Sequence, residues 1–230
     1  MQQDSIQRIQ ALNIIERLCS LPLFMGISHS DMEKIIGSVR FHFLKFPKFK
    51  TICNIHEVNN SIYFLLNGTI EVTRMDDSNT IEFFEYLQGP AIIGADVLFG
   101  IPHAHLYNYK AKTDCQFVVL SKKEITSQLL NYEIFRLNLL NHISLVAQRR
   151  TRMLHEPLSP DLTQRFIQFI KHNTLYPAGY KKIKCKQSDL GTALLSNVKN
   201  ICTMFRNLEN KQLIKTSRGQ IIVPSLQDLL

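Results

Sequence analysis

The sequence predicts an α+β protein in three parts. These are an N-terminal double-stranded β-helix (a jelly-roll-like β-roll), a long dimerisation helix and a C-terminal winged helix-turn-helix. Three observations predict this. Between about residues 40 and 120, short runs rich in β-branched and aromatic residues alternate with turn signals. Residues 133–154, "EIFRLNLLNHISLVAQRRTRML", contain neither glycine nor proline. Residues 186–214, "KQSDLGTALLSNVKNICTMFRNLENKQLI", read as two short helices about a turn. The expected parts are 1–132, 133–156 and 157–230.

The chain has 230 residues, enough for two domains. With 45% hydrophobic and 20% charged residues it has the composition of an ordinary globular protein. Apolar runs such as "IYFLL" (62–66) fall far short of the roughly 20 residues that span a bilayer, so no membrane partner is expected. "MQQDSIQRIQ" shows no basic segment followed by an apolar one, so a signal peptide is not expected and the expected location is cytoplasmic. Five scattered cysteines form no CxxC pair, which argues against a zinc ribbon or an iron–sulfur site. They read as small buried hydrophobes, with a sensor thiol as the alternative. Net charge is +8, unevenly spread: residues 157–230 carry 11 Lys/Arg against 4 Asp/Glu, and the rest 16 against 15. A basic C-terminal third on a nearly neutral remainder suggests a module that binds a polyanion.

In order, Ile6, Ile9, Ile14 and Leu18 give a first helix over 6–18, and Ser28 or Ser30 caps a second in "SHSDMEKII". "RFHFLKF", "SIYFLLNGTIEVTRM", "TIEFFEYL" and "CQFVVL" are the strands. "PKFK", Asn67-Gly68 and "DDSN" separate them, and Asn67-Gly68 reads as a tight two-residue turn. In the long helix Leu139, Ile143, Val146 and Met153 recur at near-heptad spacing, with Ile134, Leu137 and Leu140 alongside. That is more apolar surface than one domain needs, and it predicts pairing with a twin helix. "EPLSPDL" (156–162) ends the helix, and Asp161 caps "LTQRFIQFIKHN".

In the last segment Ser188 is placed to cap "DLGTALL" and Ser196 to cap "NVKNICTMFRNLENK". Gly191 admits a close backbone. Ile201, Met204, Phe205 and Leu208 form a buried stripe at i, i+3, i+4 and i+7. Lys199, Thr203 and Arg206 fall opposite, flanked by Asn200 and Asn207. Such side chains hydrogen-bond base edges and phosphates in a major groove. "LIKTSRGQIIV" then reads as a hairpin turning at Ser217-Arg218-Gly219, the wing.

This order of parts resembles the Crp/Fnr superfamily of bacterial transcription regulators, from about residue 20 to 223. "IYFLLNGTIEV" and "EYLQG" look like the β-roll of its cyclic-AMP-responsive members. "AKTDCQFVVLSKKEI" is similar to the strand entering the dimer helix, and "SDLGTALLSNVKNICTMFRNLENKQLI" to the DNA-binding signature. The resemblance implies a homodimer on a palindromic double-stranded DNA operator, with RNA polymerase as a further contact. By position the DNA-binding residues are Ser196, Asn197, Val198, Lys199, Asn200, Thr203 and Arg206. Val198 replaces a frequent arginine, and Leu195 stands where a turn glycine is usual, so an unfamiliar operator is implied.

The resemblance makes "GADVLFGIPHAH" (94–105) the effector loop, with Gly94, Ala95, Asp96, His105, Leu106, Arg150 and Thr151 as pocket candidates. Ala95 stands at a glutamate position and His105 at the position of an arginine that holds the cyclic phosphate. Gly94 and Gly100 permit tight backbone, and Val97, Leu98 and Phe99 can anchor the loop. No Lys or Arg lies between Phe84 and Lys110, and odd spacing sends Lys110 to the opposite face from His105. Without a charge-assisted partner for the phosphate, cyclic AMP is not expected to bind. No cofactor or metal is expected, haem being the alternative that His103 and His105 with Cys115 keep open. No phosphate loop, nucleophile elbow or catalytic carboxylate pair occurs, so no enzyme is expected. The alternative to a DNA-binding regulator is a haem, redox or small-molecule sensing module whose C-terminal domain binds a non-DNA partner.

Overall fold

The computed structural model describes residues 16–229. It consists of two compact units. The first holds residues 16–70, with Gln88–His105 and Ala111–Gln148. The second holds Glu71–Leu87, Leu106–Lys110 and the chain from Arg149 onward. These units do not follow the expected divisions at 132/133 and 156/157. A hairpin of the expected roll lies with the C-terminal helices, because its apolar side chains complete their core.

In the first unit, β1 (His42–Phe46), β8 (Cys115–Ser121), β3 (Ser61–Asn67) and β6 (Ala91–Ile93) form an antiparallel sheet in the order β1-β8-β3-β6. Phe64 opposite Val118 sets the central register. The short strand β2 (Thr51–Cys53) also lies here. The helix α1 (His29–Ser38) starts at Ser28, whose hydroxyl accepts the Asp31 N–H at 3.2 Å. The helix α2 (Lys122–Ser127) starts with a reciprocal box between Ser121 and Glu124. The long helix α3 (Glu133–His155) runs in this unit as far as Gln148. It lays Phe135 and Leu139 into a core with Phe24, Phe64 and Val118. Phe24 lies 5.2 Å from Phe135 and 5.5 Å from Phe64 between ring centroids. The expected first helix over 6–18 falls mostly outside the described residues, although Leu18 is buried in this core.

Asn67-Gly68 is not a tight hairpin turn. Gly68 alone has positive φ, at 106°, and β4 (Thr69–Met75) belongs to a different sheet from β3. The glycine serves a corner: a Cβ there would stand 2.6 Å from the Asp114 carbonyl oxygen.

The second unit contains β4, β5 (Glu82–Gln88), β7 (Asn108–Ala111), β9 (Lys181–Lys184), β10 (Lys215–Ser217) and β11 (Gln220–Val223), in the order β10-β11-β9-β5-β4-β7. The sequence patterns did not announce β2, β6, β7 or β9, which span only three or four residues each. The helices are α4 (Leu162–Asn173), α5 (Gln187–Ala193) and α6 (Val198–Asn210). Asp161 caps α4 as expected, accepting the Gln164 N–H at 2.8 Å. Ile81 and Phe83 from the hairpin join Phe166, Ile170, Ile183 and Phe205 in one core.

Candidate nucleic-acid interface and effector pocket

The helices α5 and α6 are joined by a four-residue turn over 194–197. The Ser196 N–H donates to the Gly191 carbonyl at 2.8 Å, and a Cβ on Gly191 would approach Ser196 O to 2.9 Å. That is the close backbone approach the glycine allows. Leu195 sits at φ 50°, strained for a branched residue, and is 71% exposed. Both expected caps are displaced. The residue before α5 is Lys186, with no side-chain cap, and Ser188 lies inside the helix. Asn197, not Ser196, caps α6, accepting the Asn200 N–H at 2.8 Å. Asn and Ser are near-equal caps, so the choice falls to the turn geometry.

On α6, Ile201, Met204, Phe205 and Leu208 are buried, and Val198, Lys199, Asn200, Thr203, Arg206 and Asn207 are exposed. Ser196 is half-buried. Two cations and several amide or hydroxyl groups therefore share one open helical face. The hairpin β10–β11 follows and turns at Arg218-Gly219, with Gly219 at φ 71°. Glu209, which the sequence reasoning did not single out, reaches Thr216 in the first strand of this hairpin. An acid within reach of a following strand's N–H groups was the available signal.

In the first unit, Gly94 has φ 81°, and its carbonyl accepts from the buried Asn59 amide at 2.7 Å. A Cβ would collide with that amide at 2.8 Å, so only glycine fits. Ala95 is buried and Asp96 half-buried. Leu98 is fully buried and anchors the loop, whereas Phe99 is 38% exposed under the Lys122 ammonium. His105 is 3% exposed, its ring edge-on to Tyr63 at 6.3 Å between centroids. Burial holds its imidazole below the usual histidine range, against the opposing pull of Glu57 and Asp96. His142 on α3 is lowered in the same way, with Asp96 opposing. The Tyr63 hydroxyl bonds the Cys53 thiol, and burial pushes both up to about 12. Lys110 is exposed.

The remaining pocket candidates belong to the second unit. Leu106 is 40% exposed, and Thr151 is exposed on α3. Arg150 lines a cleft of about 530 Å³ with Arg74, Asp77, Phe169 and His172. In the first unit, therefore, His105 is a buried imidazole held below its usual range, and Ala95 offers only a buried methyl group. Neither residue supplies the fixed cation that pairs with a cyclic phosphate by charge-assisted hydrogen bonds. Among the described residues no cluster of three or more His, Cys, Asp or Glu could hold a metal ion. Burial also raises Cys185 to about 11 and lifts Cys115, which suppresses their thiolates. No described helix is long and apolar enough to cross a membrane.

Of the four expected dimer residues, Leu139 is corrected. It is 3% exposed inside its own unit's core, and Ile143 packs against that core. Val146 and Met153 are half-buried. On α3 within the first unit, the exposed large apolar residues are Ile134, Leu137, Leu140 and Leu145, between 41% and 66% exposed. At about 100° per residue, Ile134, Leu137 and Leu145 lie away from Leu139, and Leu140 lies on the flank between them. The spacing revealed two apolar faces but not which of them the chain itself covers.

Residues 43–132 match the family model described as a cyclic nucleotide-binding domain. Over 191 residues the chain is 22% identical to the cAMP-activated global transcriptional regulator CRP of Pasteurella multocida, covering 79% of this chain and 90% of that one. Among solved structures it is similar to the sensor domain of the transcriptional regulator DNR from Pseudomonas aeruginosa. That match has 20% identity, 63% of this chain, 99% of that chain and a TM-score of 0.48. It is also similar to the Thermus thermophilus catabolite activator protein, with 13% identity, 90% and 96% coverage and a TM-score of 0.43. Residues 43–132 are thus similar to a cyclic nucleotide-binding domain, and over 191 residues the chain is similar to a Crp-type regulator.

Proposed function

We propose that the chain is a dimeric, sequence-specific DNA-binding transcription regulator with a C-terminal winged helix-turn-helix. Its roll responds to an effector other than cyclic AMP, or to none. The exposed face of α6 carries the reading: Lys199, Asn200, Thr203 and Arg206 share it, opposite a fully buried stripe. Inserted in a major groove, that face offers amides and a guanidinium to base edges and cations to phosphates. The basic C-terminal third supplies the long-range attraction. The exposed residues Leu137 and Leu140 of α3 are the proposed centre of the dimer contact, which gives the two-fold symmetry of a palindromic site.

Fluorescence anisotropy against a pool of palindromic duplexes at fixed salt tests this. Selection of a shared site, with affinity falling as salt rises, is the expected result. Absence of any duplex binding at low salt would overturn it.

A further inference from the structure

The strand β9 lies between β11 of the wing and β5 of the hairpin that the sequence assigned to the roll. Its register on β5 pairs Glu82 with Lys184, Phe83 with Ile183, Phe84 with Lys182 and Glu85 with Lys181. Its register on β11 pairs Lys184 with Gln220 and Lys181 with Val223. Just beyond β9, the Cys185 N–H donates to the Gly219 carbonyl at the wing turn, and α5 begins at Gln187. The register of β9 therefore sets both the wing and the first helix of the helix pair. A slip of one residue would invert every side chain of the strand.

One buried carboxylate pins that register. The Glu85 and Lys181 side chains are 3% and 2% exposed, and Nζ donates to Oε2 at 2.5 Å. The Tyr176 N–H donates to the same oxygen at 3.1 Å, and the Leu175 N–H to Oε1. Three donors from residues 175–181 thus converge on one side chain of β5. Flanking contacts repeat the pairing: Tyr86 stacks on Tyr180 at 4.9 Å, and the Lys182 and Lys184 ammonium groups lie 4.0 and 4.4 Å from the Phe84 ring centroid. The nearby pair Glu82–Lys184, at 3.4 Å, is much more exposed and adds little. A buried acid and base facing each other on neighbouring strands are costly to separate, because each leaves the other unpaired. They specify one alignment of two strands more than they add stability.

We propose that Glu85 is a positioning residue for DNA binding. It does not touch DNA. It acts through Lys181 and the 175–176 amides to fix β9, and so the spacing of the wing from α6. The segment 71–87 is thereby a working part of the DNA-binding unit, and a change in that hairpin reaches the DNA-reading face through β9. The inference rests on the DNA-binding reading above.

The test uses the full chain with Glu85→Gln, the double variant Glu85→Leu with Lys181→Met, and Glu82→Gln as control. Each is titrated against the selected duplex, with the active fraction from stoichiometric titration, and hydrogen exchange is followed over 174–184 and 215–223. Glu85→Gln is expected to weaken binding about tenfold at full active fraction, with the salt slope unchanged because no phosphate contact is lost. Exchange should quicken in both segments. Glu82→Gln should match the wild type. If Glu85→Gln does not fold, the double variant decides: it removes both buried charges but leaves the 175–176 amides without their acceptor, and should still bind about tenfold more weakly. A variant with a smaller active fraction but an unchanged Kd overturns the proposal, because that is loss of folded protein alone. So does a wild-type Kd in the folded variant. A wild-type chain that binds no duplex overturns the DNA-binding reading itself, and this proposal with it.

Discussion

Glu209 clamps Thr216 twice: its Oε1 accepts the Thr216 amide N–H at 2.7 Å and the Thr216 hydroxyl at 2.7 Å. The acid stands in the last turn of α6, and the threonine is in the first strand of the hairpin that follows. The helix α6 and the hairpin β10–β11 are joined there by one side chain. The two bonds hold the Glu209 carboxyl below its usual range. Glu209→Ala is expected to lower stability by about 1 kcal/mol, the net worth of such bonds. Duplex affinity should fall with it, as the wing loses its fixed angle. Urea unfolding and anisotropy on the same preparation check both. An unchanged affinity would show that the wing does not contribute.

Arg206 is exposed near the centre of the α6 face. Arg206→Ala should weaken binding. If the guanidinium meets a phosphate, the log–log salt slope should shrink by about one unit. If it reads a base, discrimination among duplexes should relax by about 1–3 kcal/mol at one position. A variant that binds and discriminates like the wild type contradicts both.

Leu195 occupies the left-handed region at φ 50° in the α5–α6 turn, with its side chain in solvent. A branched residue costs about 1–2 kcal/mol there, more than the roughly 0.5–1 kcal/mol of extra entropy that glycine loses on folding. Leu195→Gly is therefore expected to stabilise the chain by about 0.5–1 kcal/mol. A lower melting temperature in this variant would mean that Leu195 makes a contact absent from the isolated chain.

What the sequence disclosed about these sites follows physical range. The buried stripe of α6, the Asp161 cap and the Gly219 turn depend on neighbours within one helical turn or one hairpin, and they were legible. Asn197 displaced Ser196 because both can cap and only the turn decides. Leu139 was assigned to a partner because a helix apolar on two faces does not say which face its own sheet covers. The hairpin 71–87 was assigned to the roll by proximity in the chain. Its attachment to β9 depends on Glu85 meeting Lys181 across 96 residues, and no local pattern encodes that.

The dimer prediction separates the two faces of α3. Leu137→Glu and Leu140→Glu place a charge on the open face, where the isolated chain tolerates it. They should convert a dimer to a folded monomer at micromolar concentration. Leu139→Glu instead buries an unpaired charge among Phe24, Phe64 and Phe135, and should unfold the first unit. Sedimentation together with circular dichroism distinguishes the outcomes. A Leu137→Glu protein that remains dimeric would move the contact off this face.

The last prediction concerns acid. His105 and His142 both titrate below the usual histidine range in the folded chain, chiefly because burial penalises the imidazolium. Their values in the unfolded chain are about 6.5. As pH falls, the unfolded chain takes up these protons first, so the equilibrium shifts toward unfolding. The loss begins near pH 6.5 and continues until the folded-state values are passed, where it levels off. Above about pH 7 neither histidine contributes a slope. Glu57 and Asp96 moderate the effect at His105, since each carboxylate favours the charged ring. His105→Gln removes one titrating group and keeps a polar side chain of similar reach. Its melting temperature should fall less steeply than the wild type's between about pH 6.5 and pH 5. The remaining slope belongs to His142 and should vanish in the double variant with His142→Gln. Parallel wild-type and double-variant curves over that range would mean that neither imidazole is held neutral. The first unit's pocket could then present a cation to an anionic ligand, and titration calorimetry with cyclic AMP at pH 6 would be expected to show binding.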